Sequence, residues 1–483
     1  MNCLNEIALT AEAMRKADSI TINDFGISAS TLMKNAGKAI FEVLCEEIQD
    51  IKNKKFLILC GKGNNGGDGL VLAEYLKNFG CDVELTWGSK NYDVIVDGLL
   101  GTGFSGKIKE PLLSLIKQSN NYKAFKVAID IPSGLNGTFG ITEDKEAIFK
   151  ADLTITLGAL KTGFFMNLAK EFTGKIKTVD IGIPLEALKQ AFEDKTQNNF
   201  NLLSYKNFQE LMPIKRKGLN KYSAGSTVLI GGSRGFTGSI VLSSLASLRT
   251  GSGITTCAMP ENTEAIIASK LTESLILPLK LAQDKGISKD NINILLEKKA
   301  DAYLIGPGLG NQDSTKEFLF EFLKQLQKPI VIDGSAITLL AENKEIFKYS
   351  KENFLLTPHE GEFKRFLTKD KDYNEKEKIN LLKTLAKDLN SVILLKGFPS
   401  FIATPQGELY VNTTGNEAAA TAGTGDVLAG MCVSLIAQGL SLKNAASCGI
   451  YLAGLCSDNY TKKYRQNSMI ASDLLDELKE HLF

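Results

Sequence analysis

The chain is poor in the residues that usually build metal and redox centres. It holds two histidines, His359 and His481, in 483 residues, which leaves almost no room for a histidine-built metal site. Its eight cysteines show no CxxC pair and no regular spacing. Several sit in apolar runs, as in FLILC ending at Cys60, so reduced buried thiols are expected rather than disulfides or zinc. Neither sign of charge prevails: the formal net charge is +1, which gives nucleic acid or an acidic membrane surface nothing to hold. Long uncharged apolar runs are missing, and MNCLNEIALTAEAMRKAD at the start is amphipathic and charged, unlike a secretory leader. The expectation is a soluble, cytoplasmic protein with no nucleic-acid and no membrane partner.

What is present is ordinary globular composition, 43% apolar and 23% charged, with 43 glycines against a single tryptophan. That balance suits a protein full of tight strand-to-helix turns. The length predicts two or three domains. Short apolar runs ending in Gly, Asp or Pro alternate with helical periodicity. In the first part, strands are expected at 56–60, 94–96, 127–129 and 153–156, and Leu72, Leu76 and Phe79 mark the buried stripe of a helix. In the second, TVLIGGS, AYLIGPG, PIVIDG, FLLTPHEG and VILLKG repeat the pattern, and Leu428, Cys432 and Leu435 line one face of a late helix. Such alternation predicts α/β architecture with mostly parallel sheets covered on both faces. The polar stretch at 193–201, EDKTQNNFN, is the expected boundary, giving domains at 1–200 and 204–483. The charged stretch at 369–378 reads as a solvated loop and helix start.

KFLILCGKGNNGGDGLVLAEYL is a buried strand, a turn with five glycines from Gly61 to Gly69, and an amphipathic helix. Glycines let successive N–H groups converge on an oxyanion at a helix N-terminus. No GK[ST] follows, so this is not a P-loop, and Asn64, Asn65 and Asp68 set it apart from the plain dinucleotide fingerprint. One polar side chain would suffice to cap a helix; three among these glycines describe a binding turn. Two further strand ends add polar groups. VIVDGLLGTGFSG supplies Asp97 and a second glycine turn, and VAIDIPSGL supplies Asp130 and Ser133. In an open parallel sheet such strand ends border the ligand crevice.

In this order, GKGNNGGDG, DGLLGTG and DIPSG resemble the YjeF N-terminal domain, the NAD(P)H-hydrate epimerase, over roughly residues 10–190. The resemblance implies a Rossmann-like doubly wound domain that binds hydrated NADH or NADPH and interconverts its R and S forms. It further implies that Asn64, Asn65, Gly66, Gly67 and Asp68, with Gly101, Thr102, Gly103, Phe104, Ser105, Gly106 and Lys107, contact substrate, with Asp130 at the reacting end. Asn65, Asp97 and Ser133 would hold a potassium ion, for which oxygen ligands are suited. The pattern is broken at Lys34, where the family has Glu.

A second glycine turn, AAATAGTGDVLAG, runs from Gly423 through Thr424, Gly425 and Asp426 into an apolar helix. Its backbone suits an anion hole, with Asp426 facing the group to be phosphorylated. GTGD alone is short, and an ordinary N-cap would explain it. The context is richer: Lys396 follows one buried strand, His359 and Glu362 another, and GGSRGFTGS and GPGLG two more. His359 lies in a polar turn, which favours a ligand-contacting role over a structural one.

KGLNKYSAGSTVLIGGS, GPGLG, LTPHEGEF, LLKG and AGTGDVLAG together resemble the ribokinase-like ADP- or ATP-dependent NAD(P)H-hydrate dehydratase over roughly residues 205–480. The resemblance implies an α/β/α domain that phosphorylates the hydrate hydroxyl with Mg2+ and ADP and eliminates phosphate to restore the nicotinamide. Asp426 would be the base; Gly308, His359 and Asp426 would meet the hydrate; Lys396, Gly397, Phe398, Pro399, Ser400 and Gly425 would lie along the nucleotide. Asn220-Lys221 and Ser400 depart from the family's His-Lys pair and Thr. Joined on one chain, the two halves imply repair of hydrated NADH and NADPH, with small-molecule partners (NADHX, NADPHX, ADP) and a homo-oligomer expected. A vitamin- or sugar-type kinase is the alternative, but it would leave GKGNNGGDG without a purpose. A YjeF-like scaffold module of RNA decapping is another, disfavoured by the retained Asn65, Asp97, Asp130 and Ser133 and by the near-neutral charge.

Overall fold

Strand Lys55–Cys60 shows why the sheets form as they do: it sends Phe56 and Ile58 into one apolar cluster and Leu57 and Leu59 into another. A strand buried on both faces belongs in a parallel sheet sandwiched by helices. The computed structural model describes residues 6–88, 91–140, 144–166, 168–214, 217–218, 220–367 and 373–481, and the chain divides into units Met1–Leu202 and Leu203–Phe483.

In the first unit the parallel sheet runs, in spatial order, Asp82–Glu84, Lys55–Cys60, Val94–Gly98, Phe125–Ile129, Leu153–Leu157 and Lys175–Val179. Helices Ala11–Asn23, Ala29–Glu47 and Asn64–Phe79 place Met14, Ile40 and Leu72 in the cluster on one face. Helix Leu112–Asn121 places Ile116 on the other. Chain order reverses between Lys55–Cys60 and Val94–Gly98, and the crevice at that reversal is the expected ligand position in a doubly wound sheet. Strand Ile7–Leu9 lies outside this sheet, paired parallel with Leu160–Lys161 and antiparallel with Phe200–Leu202. The polar stretch at 193–201 is therefore well anchored: Asn199 Oδ1 accepts from Thr10 N at 3.0 Å and its amide donates to Ala191 O at 3.2 Å.

The second unit orders its strands as Leu275–Leu279, Ile254–Pro260, Ser226–Ile230, Ala302–Ile305, Ile330–Ile332, Phe354–Leu356 and Val392–Leu395, all parallel. Phe401–Ala403 and Leu409–Val411 then extend it antiparallel. The reversal falls between Ser226–Ile230 and Ala302–Ile305, the strands that run into GGSRG and GPGLG. Helix Thr424–Ala437 is buried on every side from Val427 to Ala437 rather than on one face, because helices Thr237–Arg249 and Leu442–Lys463 flank it. A methyl group at Gly430 would stand 2.2 Å from Ser243 O, a backbone atom with no freedom to withdraw. Gly430→Ala is expected to cost about 1–3 kcal/mol, read as a lower melting temperature of this unit.

Some expectations need correction. Phe79 is 44% exposed and meets Phe41 edge-on, so the buried stripe is Leu72, Ala73 and Leu76. Cys45 is exposed, although the other described cysteines are partly or wholly buried and all seven are free; Cys3 lies outside the described residues. In the charged stretch, 369–372 lie outside the described residues, and helix Glu375–Asp388 begins after an Asn374 capping box.

Candidate active sites

In the first unit the glycine turn is shorter than its sequence suggests. Helix Asn64–Phe79 starts immediately after Gly63, so Asn64, Asn65 and Asp68 belong to its first turns and none of them caps it. Gly66 must be glycine because a methyl there would sit 1.9 Å from Gly61 O. A cleft of about 1010 Å3 opens over Gly61, Gly63, Asn64 and Asn65 and over Gly101, Thr102, Gly103, Phe104 and Lys107, and Asp68 does not line it. Ser105, Gly106, Gly66 and Gly67 do not line it. Beside it a smaller cavity of about 150 Å3 holds Asn64, Asn65, Asp68, Thr102, Asp130 and Lys161.

Asp130 has φ +63°, a left-handed conformation that carries strain in any residue but glycine. That turn swings its carboxylate back onto Lys161, which is fully buried. Lys161 Nζ also donates to Thr156 Oγ1 at 2.9 Å and Leu157 O at 2.9 Å, so all its protons are placed. Leu157 N donates to Asp130 Oδ1 at 3.0 Å. Asp97 lines neither cavity and is completely enclosed. It accepts from Ser133 N at 2.7 Å, Ser133 Oγ at 2.6 Å and Leu99 N at 3.1 Å. Burial still pushes its carboxyl up to about 6 against these bonds. Asn65 turns its amide onto Leu100 O at 3.2 Å and Ile129 O at 2.8 Å. Sequence reasoning did not select Asp18, which lines the same cavity from helix Ala11–Asn23. Its signal was an acid one turn after the buried Met14. Burial raises it to about 6, with Lys161 pulling the other way.

In the second unit, helix Thr424–Ala437 starts after Gly423 at φ +91°, and no side chain caps it. Thr424 Oγ1 instead donates back to Ala419 O at 3.0 Å and Thr421 O at 2.9 Å. The capping explanation of GTGD therefore fails, and the first N–H groups stay open to an anion. Lys396 stands over this turn: a methyl on Gly425 would lie 3.1 Å from its ammonium. Lys396 donates to Asp333 Oδ1 at 2.7 Å, and Thr357 Oγ1 reaches the same oxygen at 2.7 Å. Burial lowers the Lys396 pKa, but Asp333 and Glu362 outweigh it and leave it raised. Asp426 is pushed up to about 6, first by burial and then by Asp333. Asp333 is the penultimate residue of the run PIVIDG; the run is legible in the sequence, but nothing there singles out its aspartate.

A cavity of about 330 Å3 adjoins this turn, bounded by Lys396, Gly397, Phe398, Ser400 and Gly425 and walled by apolar residues such as Leu428 and Ile450. Pro399, Gly308, His359 and Asp426 do not line it. Ser400 Oγ closes its loop by donating to Gly397 O at 2.8 Å. His359 is the N-cap of helix Glu360–Phe366: Nδ1 accepts from Gly361 N at 3.0 Å, and Glu362 completes a capping box. The histidine thus has a structural task, with its side chain 60% exposed and Nε2 3.6 Å from Glu362. Its backbone bridges to Lys396, beside the anion turn. Asn220 caps its own turn through Tyr222 N at 2.9 Å, and Lys34 is exposed on helix Ala29–Glu47.

The class is then defined: a doubly wound nucleotide-type unit and a ribokinase-like unit, each with an open helix terminus and a buried carboxylate at its switch point. The family described as NAD(P)H-hydrate dehydratase matches residues 227–480, and the YjeF-related protein N-terminus matches 29–92 and 85–163. Bifunctional NAD(P)H-hydrate repair enzymes of Salinibacter ruber and Escherichia coli are 33% and 30% identical, each over 97% of this chain and over 94% and 92% of their own. A solved ADP/ATP-dependent NAD(P)H-hydrate dehydratase from Bacillus subtilis, co-crystallized with ATP/Mg2+, is 29% identical with a TM-score of 0.51. That match covers 58% of this chain and 96% of that one. The chain belongs to the bifunctional NAD(P)H-hydrate repair family.

Proposed function

We infer that the protein repairs hydrated NADH and NADPH: the first unit interconverts the R and S hydrates, and the second dehydrates the S form at the expense of ADP. The observation that carries this reading is the pair of switch-point sites on one chain that matches repair enzymes along nearly its whole length.

In the second unit, the open N-terminus of helix Thr424–Ala437 and Lys396 face the phosphates, and the apolar cavity takes the adenosine. Asp426 removes the proton from the hydrate hydroxyl as that oxygen attacks the terminal phosphoryl group. Departure of phosphate from the hydrated ring carbon, with loss of a proton from the neighbouring carbon, then restores the dihydronicotinamide ring. Among the described residues no group of three or more acidic, histidine or cysteine side chains is arranged to hold a metal ion by itself. This suits Mg2+, which arrives on phosphates and needs only one or two carboxylates, here Asp333 and Glu362. Held there, the ion would supply charge neutralisation to the phosphates.

In the first unit Asp130 serves the reacting carbon, and the glycine turns hold the phosphates. Asn65, Asp97 and Ser133 offer oxygen donors with a single carboxylate, a set that fits a potassium ion once the Asn65 amide is reversed. Such an ion would neutralise the buried Asp97. Assembly as a homo-oligomer in the cytoplasm belongs to the same reading; among the described residues no helix is long and apolar enough to cross a membrane.

The test is return of NADPH absorbance from its S hydrate with ADP and Mg2+. Asp426 must be ionised to act, and its pKa is raised to about 6. Dehydration kcat/KM is therefore expected to be flat above pH 7 and to fall about tenfold per unit below 6. A rate independent of pH down to 5 would contradict the assignment of Asp426.

A further inference from the structure

Asp68 is the least expected side chain in the first unit. It is only 5% exposed, it lines the 150 Å3 cavity, and no described residue gives its carboxyl a hydrogen bond. A buried ionised carboxylate without donors is costly, so such a group keeps its proton. The charged neighbours come from three elements: Asp18 on helix Ala11–Asn23, Asp130 after strand Phe125–Ile129, and Lys161. Helix Ala29–Glu47, packed against the Asp68 helix, contributes only Ala29, Leu32, Met33 and Ala36 to the cavity. Strand Lys55–Cys60 presents Cys60, whose thiol is pushed up to about 11, and Asp97 is turned away onto Ser133. Asp68 and Asp130 are thus unlike carboxyls sharing one cavity. Asp130 is ion-paired with Lys161, whereas Asp68 has no hydrogen-bond donor among the described residues, and the pull of Lys161 on it is outweighed by burial and by the charges of Asp130 and Asp18.

We propose that Asp68 is a second catalytic group of the epimerase, the acid that protonates the departing hydroxyl, and that Asp18 is a positioning residue that keeps Asp68 protonated. The proposal rests on the epimerase reading of the first unit. The proton of Asp68 moves to the hydroxyl oxygen on the hydrated ring carbon, and the C–O bond breaks with its electron pair leaving in water. The ring nitrogen supplies its lone pair to form a C=N bond, and the Asp130 carboxylate faces the resulting cation. Water adds to the same carbon from the other side, the C=N pair returns to nitrogen, and Asp130 takes the surplus proton. The two carboxyls then exchange that proton through water in the open cleft. No oxidant or co-reactant is consumed. Burial, then Asp130 and Asp18, push Asp68 up to about 8, so its acid form persists at neutral pH.

The test measures catalysed R/S exchange of NADPH hydrate by the full chain across pH, without added nucleotide so that dehydration is silent. The wild type is expected to lose exchange as pH rises through about 8. Asp68→Asn should slow exchange at pH 7 by about a hundredfold or more and abolish that alkaline limb. Asp18→Asn removes a like charge, lowers the Asp68 pKa and should shift the limb to lower pH. A merely structural Asp18 would leave the limb in place. Dehydration of the S hydrate by the same samples reports that the second unit is intact. If Asp68→Asn does not fold, the limb in Asp18→Asn decides. Wild-type exchange in Asp68→Asn, or a limb unmoved in Asp18→Asn, overturns the proposal and leaves the epimerase reading standing. No exchange by the wild-type chain overturns both.

Discussion

Asp426→Asn is expected to reduce nucleotide-dependent dehydration by about a hundredfold to ten-thousandfold, the range typical of losing a general base, while R/S exchange is unchanged. Three features support so large an effect. The carboxyl sits in the first turn of a helix whose N–H groups are uncapped. Burial and Asp333 raise its pKa to about 6, near the pH at which a base works best. Lys396, held by Asp333 at 2.7 Å, stands beside Gly425 where transferred charge would develop. Asparagine keeps the shape and removes the basicity, so a KM for ADP close to wild type with a collapsed kcat is the expected pattern. A proportionate loss in both would point to damage of the turn itself.

The second large effect is at Asp130. Asp130→Ala would do more than remove a reacting group, because it strands Lys161 as a buried ammonium without its ion partner. Breaking such a pair costs about 3–5 kcal/mol. Loss of exchange in that variant would therefore mix chemistry with instability. Asp130→Asn keeps an oxygen for Lys161 and for Leu157 N, which lies at 3.0 Å. It is expected to lose exchange about a hundredfold or more, with dehydration retained. The double variant Asp130→Asn with Lys161→Met removes both charges and should melt higher than Asp130→Ala while remaining inactive in exchange. A lower melting temperature for the double variant would contradict the ion-pair account.

The sheets were legible because strands buried on both faces read as continuous apolar runs, as Lys55–Cys60 and Val392–Leu395 do. Short or half-exposed strands such as Asp82–Glu84 and Phe200–Leu202 carry no such run. Phe79 misled because helical spacing gives a direction but not whether anything covers it; at the helix end it meets solvent. The glycine turns announced the sites, since close backbone approach leaves its mark in residue type. Asp18 and Asp333 announced nothing comparable, and Lys161 only stood within TLGALKTG of the YjeF-like stretch, with no role attached. Their significance comes from long-range convergence: Lys161 reaches Asp130 across 31 positions and Lys396 reaches Asp333 across 63. The structure also adds a task for His359: beside the ligand contact that the sequence favours, its Nδ1 caps a helix.

The central claim is that two different sites on this chain act in sequence on one damaged cofactor. The most direct measurement supplies the full chain with an equal mixture of R and S NADPH hydrates, ADP and Mg2+, and follows the return of NADPH. The predicted result is complete recovery, both epimers disappearing at rates that scale with protein concentration. Recovery that stops when the S form is exhausted, or no recovery at all, would contradict it.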